Sequence, residues 1–227
     1  MVSTVDRFYA IDFDRCLSDT PKLDEVFYSL VREYKNLDAD LLLETRNAVE
    51  DKGGSVNMLT PLEDVLSPEQ VASFVETFID RSRVNGLLSL GASELLEALG
   101  KHRELFGIVS YGDDQWQSIK IKAAGLDKIP SLITDSKKKG EIIASWQQED
   151  GTFSVPARLT ADGQEINVKS VILIDDKADA FIGLPDKARG YWVQSVVHPL
   201  LPSQQGNVPS NVVIAHGLNE VIELESL

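Results

Sequence analysis

Apolar residues follow two different rhythms along this chain. Near the start, Phe8-Tyr9-Ala10-Ile11 runs unbroken into Asp12-Phe13-Asp14 and then Arg15-Cys16-Leu17-Ser18-Asp19-Thr20. The apolar run reads as a buried strand, and the Asp/Ser/Thr cluster reads as the turn that ends it. Side chains alternate across a strand, so Asp12 and Asp14 are expected to point one way and Phe13 the other. From residue 20 the spacing becomes helical. Thr20-Pro21 reads as N-cap and first helical position, followed by Leu23, Val26, Phe27, Leu30, Val31 and Tyr34. A second helix is predicted from Asp38 to about Glu50, carrying Leu41, Leu42, Thr45 and Val49 and stopped by Gly53-Gly54. A third opens at the capping box Ser67-Pro68-Glu69-Gln70 and carries Val71, Phe74, Val75, Phe78 and Ile79. Val84-Asn85-Gly86 reads as a return linker, so residues 20–85 form a helical insertion after the first strand.

From Gly91 onward strands and helices alternate. Helices are predicted at Ser93–Leu99, about Gln115 to Ala124 and about Lys139 to Trp146, with strands at Leu105–Val109 and Ser131–Thr134. Turn signals Asp150-Gly151 and Asp162-Gly163 flank β-prone residues, which predicts a hairpin within 151–169. Val171–Ile174 is wholly apolar, as befits a central parallel strand. A strand at Tyr191–Val197, a loop at Pro199–Pro209, a short strand at Val212–Ala215 and a helix at Leu218–Leu224 close the pattern. The fold class expected is α/β. A Rossmann-like doubly wound parallel sheet forms the core from residues 1–19 and 86–227, and residues 20–85 form a small α-helical domain.

Composition adds exclusions. The 227 residues are 43% hydrophobic and 26% charged, with a net charge of −14. Such a balance offers no basic stripe for nucleic acid or an anionic membrane. The lone Cys16 excludes an internal disulfide. The first residues carry no basic-then-apolar signal, and no apolar run reaches membrane length, so a reduced cytoplasmic protein is expected.

Candidate chemistry clusters where a doubly wound sheet places its ligands, at the carboxyl ends of strands. Asp12 and Asp14 end the first strand, Ser110-Tyr111 the next, and Asp175-Asp176 follow Val171–Ile174, with Asp179 a turn later. The basic run Lys137-Lys138-Lys139 opens a helix. Carboxylates from two strand ends repel each other unless a cation joins them, which suits a hard divalent ion. Taken singly, Ser110 reads as a helix cap and the lysines as a solvated face, and Asp175-Asp176 reads also as a strand-end turn. Their order along the chain is what argues for a site.

That order resembles the four signature motifs of the haloacid dehalogenase-like (HAD) hydrolases: Ile11-Asp12-Phe13-Asp14, Val109-Ser110, a lysine, and Ile174-Asp175-Asp176-Lys177-Ala178-Asp179. The helical stretch 20–85 resembles that family's cap. The resemblance implies a Mg2+-dependent phosphatase acting on a small phosphate ester. Asp12 would be the nucleophile that forms an aspartyl-phosphate, and Asp14 the general acid and base. Ser110, Tyr111 and Lys139 would hold phosphate, with Lys137 and Lys138 as alternatives to Lys139. Magnesium would sit on Asp12, the backbone carbonyl of Asp14, and Asp175, supported by Asp176 or Asp179. Where the family commonly continues Gly-Thr, this chain reads Arg15-Cys16; Cys16 is expected to be a half-buried structural residue.

The same motifs fit a phosphomutase, or a catalytically weak binding protein of this fold. The order of acids and lysine rejects a response-regulator receiver. His102, His198 and His216 share no ligand spacing. Trp116, Phe27, Tyr34, Phe74 and Phe78 are expected in packing. The substrate, the oligomeric state and the pathway are not legible.

Overall fold

The computed structural model describes residues 5–194 and 208–227. Seven strands form one sheet in the order β3-β2-β1-β5-β6-β7, with β4 pairing only β5. The strands are β1 (Val5–Ile11), β2 (Leu105–Tyr111), β3 (Ser131–Thr134), β4 (Phe153–Val155), β5 (Ile166–Asp175), β6 (Arg189–Val193) and β7 (Val212–Ala215). Every pairing is parallel except β4 with β5. The chain moves from β1 outward through β2 and β3, then crosses back to β5 on the other side of β1. That reversal is a topological switch point, and the carboxyl ends of β1, β2 and β5 open onto it.

Period-two alternation in β1 sets the two faces of the sheet. Tyr9 and Ile11 join one core cluster with helices α5 (Ala92–Lys101) and α8 (Leu218–Glu225) through Leu95, Leu99, Leu218 and Val221. Phe8 and Ala10 face the other way, onto Ile143 of α7 (Lys139–Ser145) and onto Phe181 and Trp192. The doubly wound α/β core is as expected.

The predicted insertion is helical throughout: α1 (Thr20–Val31), α2 (Ala39–Glu50), α3 (Thr60–Glu63) and α4 (Pro68–Val84). The short α3 is not among the predicted helices, although Thr60-Pro61 places a proline at its start. The capping box at Ser67 is present, with both reciprocal bonds made to Gln70. On α2 only part of the expected apolar stripe packs: Leu42 is buried, with Ala39 beside it, while Leu41 is 59% exposed. The α1 cap also differs, because Asp19 rather than Thr20 is the N-cap.

These helices own a separate core of Leu23, Phe27, Leu30, Phe74 and Phe78, which takes in Trp116 from α6 (Asp114–Ala123). Trp116 stacks on Phe78 with ring centroids 5.7 Å apart and meets Phe27 edge-on at 5.2 Å. Arg83 of α4 reinforces the junction, donating to the Lys122 carbonyl at 3.2 Å and to Asp127 at 3.0 Å.

The predicted hairpin exists, but its second arm is continuous with the apolar strand. Ile166–Asp175 is one ten-residue β5, and β4 pairs only its first three residues. At ~3.3 Å per residue that pairing lies some seven residues, or ~23 Å, from Asp175, so the hairpin is an edge and not a shield over the site. No helix among the described residues is long and apolar enough to cross a membrane. Residues 195–197 of the predicted sixth strand, His198, and residues 199–207 of the predicted loop lie outside the described residues.

Trp116 carries the junction between the helical segment and the sheet domain, so Trp116→Ala should destabilise the protein by about 3 kcal/mol, in the range for a buried aromatic. Urea denaturation followed by circular dichroism reads this directly. A loss under about 1 kcal/mol would mean that the other contacts suffice.

Candidate active site

Strand β1 ends at Ile11, and Asp12 is the first residue beyond it, with its N–H donated to the Ile174 carbonyl at 2.8 Å. Asp12 is 5% exposed. On the neighbouring strand Asp175 is the last residue of β5 and 1% exposed. Lys139, the first residue of α7, reaches between them. Its ammonium donates to Asp12 Oδ1 and to Asp175 Oδ2, the second contact at 2.6 Å. Of the three candidate lysines Lys139 alone enters this centre. Lys138 pairs with Glu141, and Lys137 lies over the Tyr111 ring at 5.3 Å from its centroid.

A glycine makes that reach possible. Gly140 packs so tightly on the segment after β5 that a Cβ there would lie 2.5 Å from the Ile182 carbonyl oxygen and 2.6 Å from the Leu184 nitrogen. Both are backbone atoms that cannot swing aside. Gly140→Ala should therefore push α7 and Lys139 off the acids. A destabilisation of about 1–3 kcal/mol, typical of overpacking, is expected, and a crystal structure should show the Lys139–Asp175 contact lengthened. An unchanged contact would mean that the segment after β5 yields instead.

Carboxylate oxygens of Asp12, Asp175 and Asp176 lie within 4.8 Å of one another. Their surroundings distinguish them. Asp175 is fully engaged: Oδ2 takes Lys139, and Oδ1 accepts the Lys177 N–H at 2.8 Å. Asp176 has a buried Oδ1 with no partner, while its carbonyl accepts the Trp192 indole N–H at 3.0 Å. An orphaned carboxylate oxygen beside two more acids suits a hard cation of the magnesium type, so the donor set fits one. Asp176 thus keeps an open oxygen while Asp175 holds Lys139, and both acids expected from sequence lie in the same cluster with Asp12. Asp179 is exposed and outside the cluster.

Electrostatics follow the same sorting. Burial pushes the Asp12 carboxyl up to about 6, with Lys139 opposing and Asp175 reinforcing. Burial and the charges of Asp12 and Asp175 push Asp176 up to about 8. Burial disfavours the Lys139 charge, but Asp12 and Asp175 outweigh it and hold the ammonium on.

Asp14 stands apart from this cluster. The strand has ended by Ile11, so the alternation expected to align Asp12 with Asp14 no longer applies, and the two carboxylates meet different partners. Lys120 of α6 donates to both Asp14 oxygens at 2.7 Å, Gln117 donates to Oδ2 at 2.9 Å, and the Thr20 hydroxyl to Oδ1 at 3.2 Å. Burial alone would raise the Asp14 pKa; the Lys120 charge and these hydrogen bonds outweigh it and hold the group down to about 2. From sequence Thr20 reads only as a helix cap, and Gln117 and Lys120 are not singled out. Lys120 falls on the apolar stripe Trp116-Lys120-Ala123, and a buried lysine becomes legible only once its carboxylate partner is placed.

Ser110 lies inside β2 and not at a helix start, since Asp113 is the N-cap of α6. It is 1% exposed, and its hydroxyl has no partner. Tyr111 is half-buried and donates its hydroxyl to the Gly53 carbonyl at 3.4 Å, so the α2–α3 loop rests on the site's rim. Trp116, Phe27, Phe74 and Phe78 pack as expected, and Tyr34 packs against them. His102 and His216 are exposed. Cys16 is fully buried rather than half-buried, and burial pushes its thiol well above the ordinary range. Arg15 takes φ +62°, a left-handed conformation that glycine enters without strain. Its N–H is held by the Thr20 hydroxyl oxygen at 2.9 Å.

No family model matches the chain, and no curated protein matches it in sequence. Solved structures do match its fold. One named as a haloacid dehalogenase-like hydrolase from Burkholderia xenovorans LB400 shares 18% identity at a TM-score of 0.67, over 98% of this chain and 97% of its own. The HAD-hydrolase YfnB from Bacillus subtilis, bound to magnesium, gives 12% identity and 0.55 over 99% and 100%. A β-phosphoglucomutase from Thermotoga maritima gives 16% and 0.52 over 98% and 99%. The fold is that of the HAD-like hydrolases.

The raised carboxyls set a pH dependence for the metal-free protein. A carboxyl whose folded pKa lies above its unfolded value binds its proton more tightly when folded, so it favours the fold at low pH. That contribution is lost as pH rises from about 4 through the folded values of about 6 for Asp12 and about 8 for Asp176. In EDTA, Asp176→Asn should stabilise the protein at pH 8 by at least about 1 kcal/mol, near one pK unit, with a smaller gain at pH 5. Equal effects at both pH values would show that Asp176 is not charged against its neighbours.

Proposed function

We propose that this protein is a Mg2+-dependent phosphatase acting on a small phosphorylated metabolite through an aspartyl-phosphate on Asp12. The observation that carries the reading is the convergence of Asp12, Lys139, Asp175 and Asp176 at the switch point, with one Asp176 oxygen buried and unpartnered. The unpartnered Ser110 hydroxyl at the adjacent strand end is the companion feature for phosphate.

Asp12 attacks phosphorus, the bond to the ester oxygen breaks and the phosphoryl group passes to the carboxylate, while the departing oxygen takes the proton of the monoanionic phosphate group, relayed by the Asp14 carboxylate. Lys139 keeps Asp12 ionised beside its acidic neighbours and neutralises charge on the transferring group. Ser110 donates its hydroxyl to a phosphoryl oxygen. Water then attacks the aspartyl-phosphate and releases phosphate. Asp14, a carboxylate again once the ester oxygen has taken its proton, then takes a proton from that water. Asp12, Asp176 and the Asp14 carbonyl would hold the magnesium ion, with Asp175 steering Lys139. The bound ion supplies charge neutralisation at phosphate and between the acids. The helical segment 20–85 acts as a cap: its α2–α3 loop touches Tyr111, and Asn57 donates to Gln115 at 3.3 Å, which favours a small soluble ester over a phosphoprotein.

The test is phosphate release from a panel of sugar phosphates, nucleotides and small phosphoacids. Turnover should require magnesium, and Asp12→Asn should lower it by more than about 10³-fold, as expected for loss of a nucleophile. Wild type and Asp12→Asn giving the same release on every member would refute the reading.

A further inference from the structure

Asp14 is held by a set of side chains that the four motifs do not include. Lys120 is 7% exposed and Gln117 3% exposed, one helical turn apart on α6, and both converge on a single carboxylate. The Gln117 amide orientation is settled by its partners: Nε2 faces two acceptors, Asp14 Oδ2 and the Tyr111 carbonyl at 2.6 Å. Its Oε1 is therefore turned away from them, and it is buried without a partner. An orphaned buried acceptor is costly to keep. A buried ion pair gives little net stability compared with apolar packing. Packing alone explains neither feature on a helix whose neighbouring positions, Trp116 and Ala123, lie in an apolar core.

We propose that Lys120 and Gln117 are positioning residues for Asp14: they fix its carboxylate, against Thr20, in the orientation from which it exchanges a proton with the ester oxygen. The proposal rests on the phosphatase reading. Lys120 spans both oxygens, which fixes the plane of the carboxylate. Gln117 ties one oxygen to the backbone of β2, the strand that carries Ser110. Asp14 is thereby indexed to the Ser110 strand, and through Thr20 to the first turn of α1. Lys120 also lies 5.7 Å from the centroid of Phe13, whose ring is fully buried, so the ammonium has a fixed seat.

The test compares two esters that differ only in their need for that proton. p-Nitrophenyl phosphate releases a stable phenolate, while an alkyl phosphate releases a basic alkoxide. Lys120→Met should lower kcat/KM on the alkyl ester by about 30–100-fold, the scale of a misplaced catalytic group, and on p-nitrophenyl phosphate by less than about 3-fold. Lys120→Arg should restore most of the loss. Gln117→Leu, a milder change, should show the same selectivity at smaller size. Equal losses on both esters, or none, would overturn the proposal.

A second readout needs no turnover. In a crystal structure of Lys120→Met the Asp14 carboxylate should leave its place between Gln117 and Thr20. If it stays, Lys120 does not position it and the proposal falls. Wild-type inactivity on both esters would instead overturn the phosphatase reading, with the crystal structure still deciding the role of Lys120.

Discussion

One buried ammonium carries this structure. Lys139 sits between Asp12, the first residue past β1, and Asp175, the last residue of β5, and its ammonium joins the two carboxylates. Isolated charges in an apolar interior are heavily penalised, so the three groups are tolerable only together. That requirement fixes where α7 begins and how closely it approaches the segment after β5. It also makes Gly140 the residue that can follow Lys139. The net charge of the triad remains negative, and Asp176 adds another carboxyl beside it. The centre is thus complete as a fold element and still short of positive charge.

Lysine placement then separates two aspartates only two residues apart. Asp12 shares its ammonium with Asp175 and feels the other acids, so burial prevails and its pKa rises. Asp14 has Lys120 to itself, together with two neutral donors, and its pKa falls. Sequence proximity contributes nothing to this difference. The partners come from α7 in one case and α6 in the other, and the chain turns between the two carboxylates because β1 stops at Ile11. The switch point thus holds two carboxylates with oppositely tuned environments.

The sheet and the motifs were legible because they are local. Four apolar residues before Asp12, a wholly apolar Val171–Ile174, and the capping box at Ser67 each encode their own conformation. What escaped depends on distant partners. Nothing in the neighbourhood of Lys120 marks it as buried, because the carboxylate that compensates it is Asp14. Thr20 reads as an N-cap on local grounds, and Asp19 takes that task because the Thr20 hydroxyl is drawn to Asp14 and the Arg15 N–H. Asp175 and Asp176 look equivalent in sequence; only the reach of Lys139 shows which one is occupied and which is left open.

Helix α6 links the two halves of the molecule physically. Its Trp116 is embedded among Phe27 and Phe78 of the helical segment, while Gln117 and Lys120 hold Asp14 on the sheet side. These residues lie within little more than one turn, over which a helix is stiff. A displacement of α1 and α4 large enough to carry Trp116 with it must therefore also move Gln117 and Lys120. The Arg83 contacts to the Lys122 carbonyl and to Asp127 tie α4 to the other end of the same helix and leave little slack. The Asp14 carboxylate is thus referenced to the helical segment as well as to β1, and its alignment with the buried centre depends on how that segment is seated.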